Sequence, residues 1–395
     1  IIEAAKCIGD LDADLVMQPS GYKATKLYSE KPTSGVGDFT VDRNSTATRV
    51  NSLGLIESVA ANVPRLDYTD GNCPSLLLEP QSTNLIPYSE DFGNSDWSKI
   101  AGSTVSIDTL VNNPKGINSS VIFQASSSAF GVILRKPLSG SSGQDYVFSV
   151  FVKKNNYRYV GLRINTSTNG QRFPNYDFDT DTLNEQGVSC DLSREIYANG
   201  WVLLKLKFTT TSSTLNPDIA ITTANGDTST ALTGNEKVYI FGAQLEQSSV
   251  ATSYIPTNGS TVTRLADVVG GAGDASTFNS SEGVLYANLK ALEVSGVTVI
   301  NNVNLEIGNH LLEKKIAISY KSEDTKVYLN GTQVLSSSVS FSGGLIDRLL
   351  LTSDIGAFPF YGECKDLRVY NTALTDERLI YITGTLNENY YNTYF

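Results

Sequence analysis

The feature that most constrains this chain is a recurring short run of alternating apolar and polar residues, cut every few positions by Gly, Asn, Ser or Pro. Helical periodicity is nearly absent. The clearest runs are 146–152 (Tyr-Val-Phe-Ser-Val-Phe-Val), 157–164, 201–209, 237–241, 315–320 and 325–329, and each reads as a strand. Asn-Gly pairs at 169–170, 199–200, 225–226, 258–259 and 330–331 supply the positive φ that tight hairpins need. One short helix is expected over 376–381, with Thr375 as its N-cap and Asp376 and Glu377 in its first turn. The chain therefore reads as all-β, with strand spacing suited to sandwiches or jelly rolls.

At roughly 150 residues per domain, 395 residues make two to three domains. Residues 1–90 are irregular, punctuated by Pro19, Pro32, Pro64, Pro74 and Pro80, and read as a docking or oligomerisation segment that a surface or partner orders. Residues 91–264 hold the longest strand series. Gly270-Gly271-Ala272-Gly273 marks a flexible linker over 265–275. Residues 276–395 form a second strand-rich unit, with a tail whose Tyr390, Tyr391, Tyr394 and Phe395 are expected to pack on a neighbour rather than face water.

Several function classes fall away on composition. The formal charge is −11, from 30 Lys and Arg against 41 Asp and Glu, and such a chain repels nucleic-acid phosphate. No apolar run approaches the about 18 residues that a membrane-spanning helix needs. His310 is the single histidine, so neither a His-cluster metal site nor a His-based triad can be assembled beyond it, and no G-x-S-x-G elbow occurs. Cys7, Cys73, Cys190 and Cys364 lie far apart with no C-x-x-C pair, a spacing that favours buried free thiols over disulfides. The acidic series 177–182 opens like a calcium loop, but Thr182 stands where the turn glycine belongs and Val188 where the closing Glu belongs. It reads as a hairpin.

Tyrosine is abundant, and sugars stack their apolar C–H faces on aromatic rings while polar side chains bond the hydroxyls. Tyr157, Tyr159, Arg163, Phe173 and Tyr176, with Arg172 and Asn175 interleaved, occupy two strands and their connection and form the candidate glycan site. Trp97 and Trp201 are expected in the core. Catalysis is not expected: a glycosidase needs two carboxyl groups about 5–9 Å apart across a cleft, and Arg65 with Glu79 reads instead as a structural ion pair.

Two resemblances sharpen this reading. The ordered segments 46–51 (Thr-Ala-Thr-Arg-Val-Asn), 54–57 (Gly-Leu-Ile-Glu), 64–68 (Pro-Arg-Leu-Asp-Tyr) and 76–85 (Leu-Leu-Leu-Glu-Pro-Gln-Ser-Thr-Asn-Leu) resemble a module common in tailed-phage structural proteins. That module precedes a carbohydrate-binding-module-like jelly roll, whose closing strands resemble 199–201 (Asn-Gly-Trp), 241–246 (Phe-Gly-Ala-Gln-Leu-Glu) and 251–257 (Ala-Thr-Ser-Tyr-Ile-Pro-Thr). Segments 316–320, 327–331 and 360–375 resemble a laminin-G-like or concanavalin-like lectin sandwich, with Leu367, Val369 and Leu374 inward and Asp366 and Arg368 outward. The resemblances imply a non-enzymatic virion protein of a tailed phage, a fibre, appendage or decoration protein at the particle surface. Implied partners are other virion proteins, a bacterial cell-surface glycan and further copies of itself, homotrimers being common among such appendages. No cofactor is implied beyond a structural calcium that such modules often hold. A tail-borne polysaccharide depolymerase and a decoration protein without sugar binding stand as alternatives.

Overall fold

The computed structural model describes residues 12–125, 132–164, 173–184, 191–228, 232–292, 296–299, 303–306, 312–338, 346–351 and 360–384. Strands dominate them, and the chain is all-β with two sandwich units. A central unit takes in 53–58 and 81–264. A terminal unit takes in the described parts of 1–52, 59–80 and 265–395.

The central unit is a pair of six-stranded antiparallel sheets. The first runs Ser98–Ile100, Ile133–Arg135, Pro217–Ile221, Tyr159–Ile164, Asn175–Asp177, Thr182–Asn184. The second runs Ser103–Asn112, Asn118–Ala125, Lys237–Glu246, Asp145–Lys154, Val202–Thr209, Asp191–Ile196. Period-2 alternation sends Leu134, Val160, Leu162, Ile219 and Ile221 of the first sheet against Phe123, Phe148, Val150, Leu204 and Ile240 of the second. Each such side chain contributes about 1.5–3 kcal/mol on burial. The run 146–152 is apolar at nearly every position because both of its faces are covered: Phe151 points the other way, into Trp201, Tyr239, Phe241 and Tyr254. Gly242 sits at φ +60, where an added Cβ would meet the Tyr254 ring at 3.0 Å, next to an irregularity in the pairing of Asp145–Lys154 with Lys237–Glu246.

The closing motif is a buried hydrogen-bond lattice. Gln244 Oε1 accepts the Ile255 N–H at 2.7 Å, Asn84 donates to the carbonyls of Ala243 (3.2 Å) and Ile255 (2.9 Å), and Glu246 accepts from Ser82 Oγ at 2.6 Å and from the Thr252 N–H. These residues are diagnostic in sequence because each satisfies backbone that would otherwise be buried without a partner. Trp97 and Trp201 are both core residues, as expected.

The terminal unit pairs an eight-stranded with a five-stranded sheet. Here the structure departs from the expected division. Among the described residues, 1–90 does not stand apart as a segment of its own: Leu15–Met17 and Ser75–Leu78 both pair with Gly362–Tyr370, and Phe39–Asp42 pairs with Val268–Ala272. Leu15, Met17, Phe39, Val41, Leu76 and Leu78 lie in one core with Ile316, Ile318, Val327, Leu367 and Val369. The expected linker is a strand, whose Gly270 leaves room for the Leu350 side chain. The helix spans Asp376–Thr383 and is capped as expected, Thr375 Oγ1 accepting the Arg378 N–H at 3.3 Å; its Leu379 and Ile382 cover the second face of the large sheet. Asp366, expected outward, is 6% exposed and ion-paired with Arg368.

A fully buried ionic network ties the terminal unit together. Arg65 Nη1 donates to Glu79 Oε2 at 2.6 Å, the expected pair, and Arg65 Nη2 also meets Asp267, whose other oxygen accepts from Arg43 Nη1 at 2.8 Å. Each guanidinium in this network meets a carboxylate, as buried charges require. Cysteine usage also differs from expectation. Cys364 is a buried free thiol, but Cys73 is disulfide-bonded, to a partner outside the described residues.

Candidate functional site

The outer face of the central unit's first sheet carries the candidate residues, and the structure separates those that reach its surface from those that support it. Tyr159, Gly161 and Arg163 alternate with the inward Val160, Leu162 and Ile164, so Tyr159 and Arg163 share the outer face. Tyr159 is half-buried. The Arg158 guanidinium lies 5.1 Å from its ring centroid, and Tyr157 meets it edge-on at 6.3 Å. Tyr157 donates its hydroxyl to the Thr222 carbonyl at 2.8 Å, and burial raises its pKa.

Phe173, Asn175 and Tyr176, predicted as contacts, are buried at 0, 0 and 3% exposure and cannot stack on or bond a sugar. Phe173 folds over the sheet onto Gly161, where any Cβ would come within 2.7 Å of the Phe173 Cβ, and the Arg163 guanidinium lies 4.1 Å from its ring centroid. Asn175 Nδ2 donates to the carbonyls of Thr223 and Ala224, bracing the 223–226 turn. Tyr176 faces the inner core and donates its hydroxyl to Asp181 at 2.7 Å; burial first, then that bond, push its pKa up to about 12. Arg172 lies outside the described residues, as do His310, Cys7, Cys190 and the tyrosines of the tail.

The sequence reading missed a cross-strand row on this face. Arg135, Asp218 and Arg163 stand directly opposite one another on three adjacent strands. Asp218 is fully buried and holds both guanidinium groups: Arg135 Nε and Nη2 at 2.7 and 2.9 Å, Arg163 Nη2 at 2.8 Å. Two guanidinium groups thus meet on one buried carboxylate. Only the strand register brings these residues together, since 135, 163 and 218 are far apart in the chain.

The acidic hairpin 177–182 is a strand, turn and strand, as expected. Arg158, Arg194 and Lys154 pair with its carboxylates. Arg158 holds Asp177 through bonds of 2.6 and 2.7 Å and keeps its carboxyl well below the usual range, while Arg194 pairs with Asp181 and lowers its pKa. Among the described residues no group of His, Cys, Asp or Glu is arranged to hold a metal ion.

A second polar cluster, in the terminal unit, was also invisible in sequence. Lys290 Nζ donates to both oxygens of Asp70, at 3.0 and 2.9 Å, and to Glu363 at 3.1 Å; Lys365 pairs with Glu313 at 2.7 Å and reaches Asp70 at 3.5 Å. Burial raises the Glu363 pKa to about 7, and the neighbouring Asp70 and Asp67 charges add to it against the pull of Lys290. Asp70 moves the other way: burial opposes ionisation, but bonds from Lys290 and from Glu363 outweigh it.

No protein-family model and no curated protein matches the chain. Among solved structures, it is similar to the CBM22-1–GH10 modules of xylanase 10B from Clostridium thermocellum complexed with xylohexaose, at 12% identity and a TM-score of 0.26, over 45% of this chain and 30% of that one. It is likewise similar to the CBM22-1–CBM22-2 tandem of Xyn10C from Paenibacillus barcinonensis, at 9% identity and a TM-score of 0.27, over 75% of this chain and all of that one. At these scores neither match assigns a ligand to this chain.

Proposed function

We propose that this chain is a non-enzymatic, glycan-binding virion protein of a tailed phage, a fibre, appendage or decoration component that meets a bacterial cell-surface polysaccharide. The observation that carries the glycan reading is the outer face of the central unit's first sheet. There a half-buried Tyr159 ring and the Arg135–Asp218–Arg163 row stand on one sheet face, with Phe173 packed on Gly161 and against Arg163 between them. An aromatic ring for the C–H face of a sugar and held guanidinium donors for its oxygens are the elements such recognition needs. The virion assignment rests on the ordered run of motifs over 46–85 and 199–257, and the disulfide at Cys73 suits a protein that works outside the reducing cytoplasm.

Hydrolysis is the less favoured reading. Asp70 and Glu363 share one ammonium, Lys290 Nζ, at 2.9 and 3.1 Å, and so stand as an ion-pair cluster. They brace the sheet in the way the Arg65–Glu79 pair does. Shallow sites of low affinity would be raised to useful avidity by several copies on one particle.

The test is a bacterial polysaccharide array probed with the purified chain, with and without calcium, followed by end-group analysis of any polysaccharide bound. Saturable binding without new reducing ends is expected. Released oligosaccharides would replace this reading with the depolymerase, and no binding at millimolar-sensitive concentrations would leave a decoration role without sugar recognition.

A further inference from the structure

The Asp70–Lys290–Glu363 cluster holds the parts of a condensation reaction as well as those of a brace. Lys290 and Glu363 are register partners on the adjacent strands Glu282–Ala291 and Gly362–Tyr370, and Asp70 lies in the connection that joins Leu66–Asp67 to Ser75–Leu78. Lys290 Nζ stands 3.0 and 2.9 Å from the two Asp70 oxygens, which sets Cγ between them at the about 3–3.5 Å of a near-attack contact. Glu363 Oε1 is 3.1 Å from the same Nζ, and Ser75 Oγ donates to Glu363 Oε2 at 3.1 Å. Lys365 Nζ approaches Asp70 Oδ2 at 3.5 Å and is anchored by Glu313 at 2.7 Å. An amine, a carboxyl carbon, a proton carrier and a cation at the carboxyl oxygen are what amide formation between a lysine and an aspartate needs.

We propose that Lys290 and Asp70 condense to an amide, a side-chain cross-link that the chain makes on itself, with Glu363 carrying the protons and Lys365 facing the oxygen on which charge develops. Glu363 takes one proton from the ammonium, the freed Nζ attacks Cγ, and the N–C bond forms. Glu363 delivers that proton, and then a second one from Nζ, to an Asp70 oxygen whose bond to Cγ breaks as water leaves. One ammonium and one carboxylate become one amide and one water, Glu363 returns unchanged, and no oxidant or cofactor enters. Burial raises Glu363 to about 7 against the pull of Lys290, which suits a group that takes and returns protons near neutrality. Burial lowers the Lys290 pKa, but Glu363 and Asp70 outweigh it and keep the ammonium charged at rest, so proton removal is the slow step. Contact between well-oriented groups supplies an effective concentration of up to about 10⁵–10⁸ M, which offsets the cost of making an amide in water. The bond joins residues 220 positions apart, from stretches that lie on either side of 81–264 in sequence, and removes that loop's freedom from the unfolded chain.

The intact mass of the full chain, reduced and denatured after incubation at neutral pH, tests this, with tandem mass spectrometry of its proteolytic peptides. The parent chain is expected one water lighter than its sequence, with a branched peptide that joins Asp70 to Lys290, and this measurement needs no variant. Lys290→Arg keeps the positive charge and should restore the full mass, and Glu363→Gln should slow the water loss about 100-fold or more. Asp70 precedes Gly71, so a backbone succinimide would lose the same water, but it survives Lys290→Arg and leaves no branched peptide. A parent chain at full mass, water loss that persists in Lys290→Arg, water loss without the branched peptide, or cross-linking as fast in Glu363→Gln as in the parent would each overturn the proposal.

Discussion

The two units use arginine in opposite ways. In the terminal unit Arg43 and Arg65 are buried, share Asp267, and join segments distant in sequence, Arg65 holding Glu79 as well. In the central unit Arg135 and Arg163 stand on an outer face, both holding the buried Asp218 and both partly exposed. The first arrangement specifies a fold, because any unmatched member would be a charge stranded in the interior. The second sets two guanidinium groups side by side on a sheet face.

That contrast breaks most sharply at Asp267. Asp267→Ala takes the carboxylate from buried Arg43 and leaves Arg65 with Glu79, and should cost the terminal unit about 3–5 kcal/mol, read as an early transition in chemical denaturation while the central unit's transition stays in place. Asp218→Ala should cost clearly less, because its arginines can turn to water, and should weaken polysaccharide binding instead.

The next effect in size belongs to Glu363. A carboxyl whose folded-state pKa is raised from 4.5 to about 7 binds an extra proton in the native state between those values. The terminal unit should therefore lose stability as the pH rises through that window, by up to about 3 kcal/mol. Asp70, lowered from 3.8, acts in the opposite sense, and its contribution is lost only as the pH falls through that region. Glu363→Gln should flatten the dependence between pH 4.5 and 7 and leave the acid limb; denaturation at fixed temperature across that range checks it. A slope unchanged in the variant would place the titrating group elsewhere.

Smaller effects follow at the surface. Thr375→Ala removes the helix N-cap and should cost the terminal unit about 1 kcal/mol by thermal unfolding. Tyr159→Ala should change stability less than that while weakening glycan binding at least tenfold, and Phe173→Ala should do the reverse, lowering stability by about 3–5 kcal/mol.

What the sequence made legible was local. Strand periodicity placed Tyr146–Val152 and Thr325–Leu329, Asn330-Gly331 marked the hairpin turn where φ is +48 and +80, and the Thr375 cap and the Arg65–Glu79 pair stand as read. Alternation says which residues share a face, but not whether anything covers it. Hence Asn175 was placed with the correct neighbours and the wrong exposure, and Asp366 likewise. The Asp70–Lys290–Glu363 cluster and the Arg135–Asp218–Arg163 row come from strand order, which a pattern of period two does not encode. For the same reason the Pro-punctuated first 90 residues looked unanchored, although Leu15–Met17 and Ser75–Leu78 are neighbours of Gly362–Tyr370.

Hydrogen exchange on the full chain, with and without a polysaccharide selected from the array, tests recognition at the outer face most directly. Recognition there without cleavage predicts slowed exchange at 133–135 and 158–164, no change at 65–70, 288–290 and 363–368, and an intact polymer recovered at the end. Protection confined to the Asp70–Glu363 region, or a shortened polymer, would contradict it.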